Sequence, residues 1–145
     1  MSVKSSLGWT LALLACIVGV TPGLAQSLQP NGQRSTGQGV YSREQWMRGR
    51  DVYAGLCAGC HPAVTHVGPA FTTSWAGKKL SELFGFLRER MPKNDPGSLS
   101  EQEYVDVMSY LLRLNGMPQG EDELQPDSLE LTKIRIDSSR AKPPE

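Results

Sequence analysis

The apolar positions of this chain fall into a few stretches of helical period separated by Gly- and Pro-rich breaks. The first begins at Ser42. Ser42 and Gln45 have the S-x-x-Q spacing of a capping box, with Tyr41 placed to staple onto Trp46. Trp46, Gly49, Arg50 and Tyr53 follow at helical spacing and predict a helix running to about Cys57. Gly49 in mid-helix costs about 1 kcal/mol relative to Ala, which a close helix–helix approach at that point would offset. A second helix is predicted over 79–90, where Leu80, Leu83, Phe84 and Leu87 stand at i, i+3, i+4 and i+7. Met91-Pro92 stops it, because the residue before proline avoids the helical region. The third helix has Ser100 and Glu103 as a capping box and Leu99 and Tyr104 as its staple. Tyr104, Val107, Met108 and Leu111 form its apolar stripe, and Asn115-Gly116 its stop.

Between these helices the pattern breaks down. From Pro62 through His66 to Gly68-Pro69-Ala70-Phe71 the Pro and Gly content predicts a loop, with Phe71 and Trp75 as isolated aromatics. Lys93-Asn94-Asp95-Pro96-Gly97 predicts a turn-rich loop. Residues 26–40 are rich in Gln, Gly and Ser with little apolar content, which predicts a disordered leader. Residues 117–137 predict a tail packed on the domain, in which 129–136 alternate apolar and polar residues as a short extended segment would. The end, 138–145, is expected to be disordered. The domain proper is therefore 41–116, and it is all-α.

The apolar run from Leu7 to Val20 is of another kind. Lys4 precedes it, and Gly23-Leu24-Ala25 is a small-x-small cleavage site. Residues 1–25 are expected to be a secretory signal peptide cut after Ala25, placing the product in the periplasm with no stable membrane span. The run is short for a span, and Pro22 and Gly23 break it. A retained membrane anchor is the alternative. Leu13-Leu14-Ala15-Cys16 also has the look of a lipoprotein box, but Ile17 to Val20 stays apolar where a polar tether would begin. Lipidation of Cys16 is thus a minor alternative.

Charge excludes more than it identifies. The 145 residues carry 15 basic and 15 acidic side chains. The bias is basic over 26–93 and acidic over 94–145, and neither half concentrates a basic patch of the kind nucleic acid requires. The asymmetry is either a dipole that orients the molecule towards a redox partner or an ordinary solvated surface. No pair of carboxylates, Ser/His arrangement or phosphate-binding glycine loop suggests hydrolysis or group transfer.

The candidate chemistry is Cys57-Ala58-Gly59-Cys60-His61. C-x-x-C-H is the spacing of a c-type haem attachment site: two thiols on one turn reach the two vinyl groups of a porphyrin, and the histidine that follows can bind iron. A redox disulfide would need a βαβ context, which the pattern lacks. A structural zinc site needs four ligands, and Cys57, Cys60, His61 and His66 would have to supply them all from ten residues.

Taken together, residues 41–116 resemble a small bacterial class I c-type cytochrome. The resemblance is strongest at the CAGCH motif, at Gly68-Pro69-Ala70-Phe71, and at Met91-Pro92 followed by the capped last helix. The stretch MPKNDPGSLSEQEYVDVMSYLLRLNG is similar to single-haem cytochromes found beside periplasmic quinoprotein dehydrogenases, as is the tail with Glu123-Leu124 and Ile134-x-Ile136. The resemblance implies a small cytochrome c-like helical fold wrapped around one covalent haem c and its iron. It implies thioether bonds at Cys57 and Cys60, and His61 and Met91 as axial ligands. It implies a Pro69 carbonyl accepting from His61, Phe71 and Trp75 in the haem pocket, Trp75 approaching a propionate, and a first-to-last helix crossing of Gly49 and Tyr53 near Tyr110. Lys79 departs from the family's usual Ser cap, which leaves the start of the second helix open.

Four other side chains compete with Met91 as the sixth ligand. Met108 lies on an apolar helix stripe and Met47 in the first helix. Met117 follows the last helix with no turn to hold it. His66 is too near His61 in the chain to cross easily to the opposite face, and is expected to face solvent. The expected function is periplasmic transfer of single electrons between a dehydrogenase-type donor and a downstream acceptor, by a carrier that is not itself an enzyme. The alternatives are a cytochrome subunit bound permanently to a quinoprotein dehydrogenase or oxidase, and a haem enzyme or gas sensor with an open iron site.

Overall fold

Helix α1, Arg43–Leu56, begins where Ser42 Oγ accepts from the Gln45 amide at 3.1 Å, satisfying one of the donors that every helix N-terminus leaves free. This helix belongs to a computed structural model that describes Met1 and residues 33–138. The expected signal peptide and the chain end beyond Ser138 lie outside the described residues. The second half of the predicted α1 capping box does not form. Gln45 is fully buried and turns its amide onto the tail, donating from Nε2 to Leu124 O and accepting from Leu124 N through Oε1, both at 2.8 Å. Tyr41 and Trp46, the predicted staple pair, also send their polar groups to the tail. Buried Tyr41 donates its hydroxyl to Met117 O at 2.6 Å, and Trp46 Nε1 donates to Gln119 Oε1 at 3.0 Å. Each of these three side chains bonds to the returning tail, a partner that sequence spacing does not reveal.

Helix α2, Pro69–Trp75, stands where a loop was predicted. Proline discourages helix in the interior but suits the first position, where its missing N–H would go unused and its fixed φ is already helical. Gly68 precedes it, and Ala76 N closes the last turn on Thr72 O at 3.0 Å. Phe71 and Trp75 are therefore helical residues, one buried and one half-buried. Helix α3, Leu80–Arg90, starts after Lys79 without a Ser cap, because Glu82 reaches back and accepts from the Lys79 amide at 2.9 Å. Helix α4, Glu101–Leu114, has the predicted box in full: Glu103 N donates to Ser100 Oγ at 3.2 Å and Ser100 N to Glu103 Oε2 at 2.8 Å.

The crossing of α1 and α4 is the centre of the fold. A Cβ added at Gly49 would lie 1.8 Å from Asp106 O and 2.9 Å from Val107 N, so the two backbones touch there and only glycine permits it. The propensity cost of a mid-helix glycine is offset by this approach. One turn along, Tyr53 and Tyr110 pack with ring centroids 5.3 Å apart. Arg48 spans the same crossing, with Nε on Asp106 Oδ2 at 2.8 Å and Nη1 on Glu123 Oε1 at 2.9 Å. Asp106 is buried and also accepts from Gln102 Nε2 at 2.8 Å, so its charge is matched on both oxygens.

The tail closes the fold as a belt. Gly116, at φ 73°, ends α4, and Met117 N bonds back to Leu112 O at 3.2 Å, which turns Met117 into the core. Leu124, Leu131, Ile134 and Ile136 follow it inward. The segment expected to be extended over 129–136 is in part a short helix, α5, Ser128–Thr132, started by Asp127 Oδ1 accepting from Leu129 N at 2.8 Å and Glu130 N at 3.2 Å. Only Ile134–Arg135, strand β2, is extended, and it pairs in parallel with strand β1, Arg34–Ser35, in the register Arg34 to Ile134 and Ser35 to Arg135.

The part of the expected disordered leader that is described, from residue 33, is thus folded. Thr36 Oγ1 accepts from Asp137 N at 2.9 Å and Asp137 Oδ2 accepts from Gly37 N at 2.8 Å. The leader is held by backbone and side-chain hydrogen bonds to a partner a hundred residues away, for which apolar content is no guide.

Candidate functional site

The C-x-x-C-H turn is the C-terminal end of α1. Cys57 is the cap residue, and its amide and that of Ala58 both donate to Tyr53 O at 2.9 Å. The next turn folds onto Cys57 itself, whose carbonyl accepts from Cys60 N at 3.1 Å and His61 N at 2.8 Å. The five residues therefore form one tight turn at the end of a rigid helix. Both thiols are free, Cys57 half-buried against the core and Cys60 exposed. Burial pushes the Cys57 thiol up from its ordinary value. Among the described residues, no three His, Cys, Asp or Glu side chains come together as a metal cluster would require.

Two buried side chains hold this turn and the segment after it. The Tyr53 hydroxyl donates to His61 O. Burial pushes Tyr53 up to about 12, so it remains protonated, and a donor, across the physiological range. Asn115, fully buried, accepts from Gly68 N through Oδ1 at 3.0 Å and donates through Nδ2 to His66 O at 2.8 Å and Leu111 O at 2.9 Å. Sequence reading gave Asn115 only the role of helix stop. A C-cap Asn is usually valued for tolerating the left-handed region, but here its amide bonds across 47 residues to pin the loop before α2. No local signal carries that.

His66 does not face solvent as expected. It is half-buried, with its ring 6.2 Å from Tyr53 edge-on and 5.2 Å from His61. Burial, with the neighbouring His61 adding to it, lowers its proton affinity. Pro69 opens α2 as its first residue. Phe71 belongs to the buried core. Trp75 packs edge-on against Phe86 at 5.4 Å, with Lys78 Nζ 5.0 Å over its ring.

Met91 is the cap residue of α3. Its amide donates to Leu87 O at 2.9 Å, its side chain is part-exposed, and the following peptide bond to Pro92 is cis. The rival methionines are placed differently. Met108 and Met117 are fully enclosed in the core, Met117 by the turn described above, which sequence reading did not foresee. Met47 lies on α1, part-exposed.

The donor set fits a covalently attached haem. Two unpaired thiols and an imidazole share one turn, and a thioether stands in an irregular segment at a helix end. A family model described as "Cytochrome C oxidase, cbb3-type, subunit III" matches residues 44–111, from the start of α1 to the last turn of α4. No curated protein and no solved structure matches the chain. No helix among the described residues is long and apolar enough to cross a membrane. The matched segment contains the helix crossing, the C-x-x-C-H turn and Met91, and the similarity over these residues supports a c-type cytochrome domain, the kind that carries covalently attached haem c with its iron and serves electron transfer between redox proteins.

Proposed function

We propose that this chain is an exported carrier of single electrons, with haem c joined to Cys57 and Cys60 and its iron held between His61 and Met91. The observation that carries the reading is the C-x-x-C-H turn on the rigid end of α1, together with Met91 as the one methionine at an irregular helix end. Haem iron, when bound, supplies a reversible change between the ferric and ferrous states. The chain's own part is to hold two axial donors and keep other ligands away. Tyr53 holds the His61 backbone, so the imidazole is presented from a fixed point. A thioether at Met91 favours the ferrous state relative to a second nitrogen donor, which raises the potential. The signal-like leader, with its expected cut after Ala25, supports a periplasmic setting, with a dehydrogenase-type donor and a downstream acceptor as the expected partners.

The test is made on the protein purified from an exporting host. Acidified organic solvent should leave haem on the polypeptide, and the intact mass should correspond to a chain starting at Gln26 plus one haem. The ferric protein should show the far-red sulfur-to-iron band. Met91→Ala should abolish that band, lower the potential and admit cyanide. Haem lost to the solvent, or a band that survives Met91→Ala, would defeat the assignment. The matched family description names an oxidase subunit, which favours a second reading as a fixed subunit of such a complex. Migration of the native protein as a large assembly would select it over the free carrier.

A further inference from the structure

We infer that Tyr104 is a positioning residue for Met91, holding the ligand segment onto α4 through one hydroxyl group. This rests on the reading of Met91 as an iron ligand. Tyr104 lies in the first turn of α4 and is only 2 % exposed. Its hydroxyl donates to Met91 O at 2.8 Å and accepts from Gly97 N at 3.0 Å. The two partners bracket the loop that follows α3. One hydroxyl thus ties the first residue of the loop and a residue near its end to the same point on the helix that crosses α1.

The loop's own bonds are local. Asp95 N donates to Pro92 O at 3.0 Å and Ser98 N to Asp95 O at 3.3 Å, and neither reaches another element. The other anchor of Met91, its amide on Leu87 O, belongs to the end of α3 and moves with α3. Arg88 reaches Glu101 at 3.4 Å, but both side chains are largely exposed and water screens the pair. The Tyr104 hydroxyl is the shielded link between the Met91 backbone and α4. A ligand that must stay on iron while its neighbours fluctuate depends on such a link, because an opened loop lets an external donor take its place. A hydrophobic staple at this position needs only the ring of Tyr104. Phenylalanine would serve the staple equally, so the hydroxyl answers a different requirement.

Tyr104→Phe in the haem-loaded protein removes that hydroxyl and keeps the ring. The matched control is Tyr41→Phe, which removes another buried hydroxyl bonded to a backbone carbonyl, that of Met117, outside the ligand segment. The readout is imidazole affinity of the ferric protein, followed by loss of the far-red band. Tyr104→Phe should keep the band in buffer and bind imidazole about five- to tenfold more tightly, the equivalent of about 1 to 1.4 kcal/mol in the loop-closing equilibrium. Tyr41→Phe should lower the unfolding midpoint and leave imidazole affinity within about twofold. Unchanged affinity in Tyr104→Phe, or an equal rise in both variants, would overturn the inference. Met91→Ala separates the two levels: if it retains the band, the ligand assignment fails, whereas a lost band with an unresponsive Tyr104→Phe defeats the positioning role alone.

Discussion

The two ends of α1 are built on different plans. At its N-terminal half, Gln45, Arg48 and Gly49 meet α4 and the tail through buried amide bonds, a double ion pair and direct backbone contact. At its C-terminal end, the segment from Cys57 to Gly68 is steadied by hydrogen bonds from two side chains, Tyr53 and Asn115. Apolar residues stand exposed at this end, Leu56 at 57 % on the last position of α1 and Val64 at 51 % in the segment itself. The first end is closed by protein against protein, and its stability is that of a packed core. The second presents donor side chains on a backbone fixed from behind. The chain thus separates the task of folding from the task of presenting ligands, and joins them through the rigidity of one helix.

The contact at Gly49 is the place to break the first end. Gly49→Val should cost about 3 kcal/mol or more, since the backbones of α1 and α4 must part to admit the side chain, and backbone cannot rotate aside as a side chain can. Urea unfolding of the haem-loaded protein measures it. A cost below about 1 kcal/mol would mean that the crossing is not closely packed at this point.

Gln45→Ala addresses the belt. It leaves the amide and carbonyl of buried Leu124 without partners, and each such group costs about 1–3 kcal/mol, so a loss of at least about 2 kcal/mol is expected. Hydrogen exchange should quicken at Leu124 and through the tail while the spectrum of the bound haem stays unchanged. A spectral change in this variant would show that the two ends are coupled more strongly than the separation allows.

Asn115→Ala addresses the second end, with a smaller cost of about 1–2 kcal/mol, because the neighbouring loop can take up water when it is freed. Its effect should be local, with faster exchange at the Gly68 amide and a perturbed haem spectrum. Should the tail loosen instead, Asn115 acts on the belt and the comparison fails.

The sequence alone determined the parts whose signals are local. Helical period and capping residues placed α1, α3 and α4 to within a residue or two, and the mid-helix Gly49 announced a close approach before any neighbour was known. The C-x-x-C-H spacing likewise carries its own chemistry, because two thiols and an imidazole on one turn need nothing else to define a reactive group. Local rules misled where one residue could serve two purposes. Pro69 looked like a helix breaker and is a helix starter, and Gln45 matched a capping box but binds the tail. Only the tertiary structure decided where Gln45, Asn115, Tyr104 and Thr36 send their hydrogen bonds. Each of these side chains makes a bond that reaches a backbone group or side chain outside its own turn, and Tyr104 and Asn115 act on the very segments that carry the donors. Such bonds leave no period in the sequence, since a polar side chain is specified by the geometry of a distant partner and not by the spacing of its neighbours.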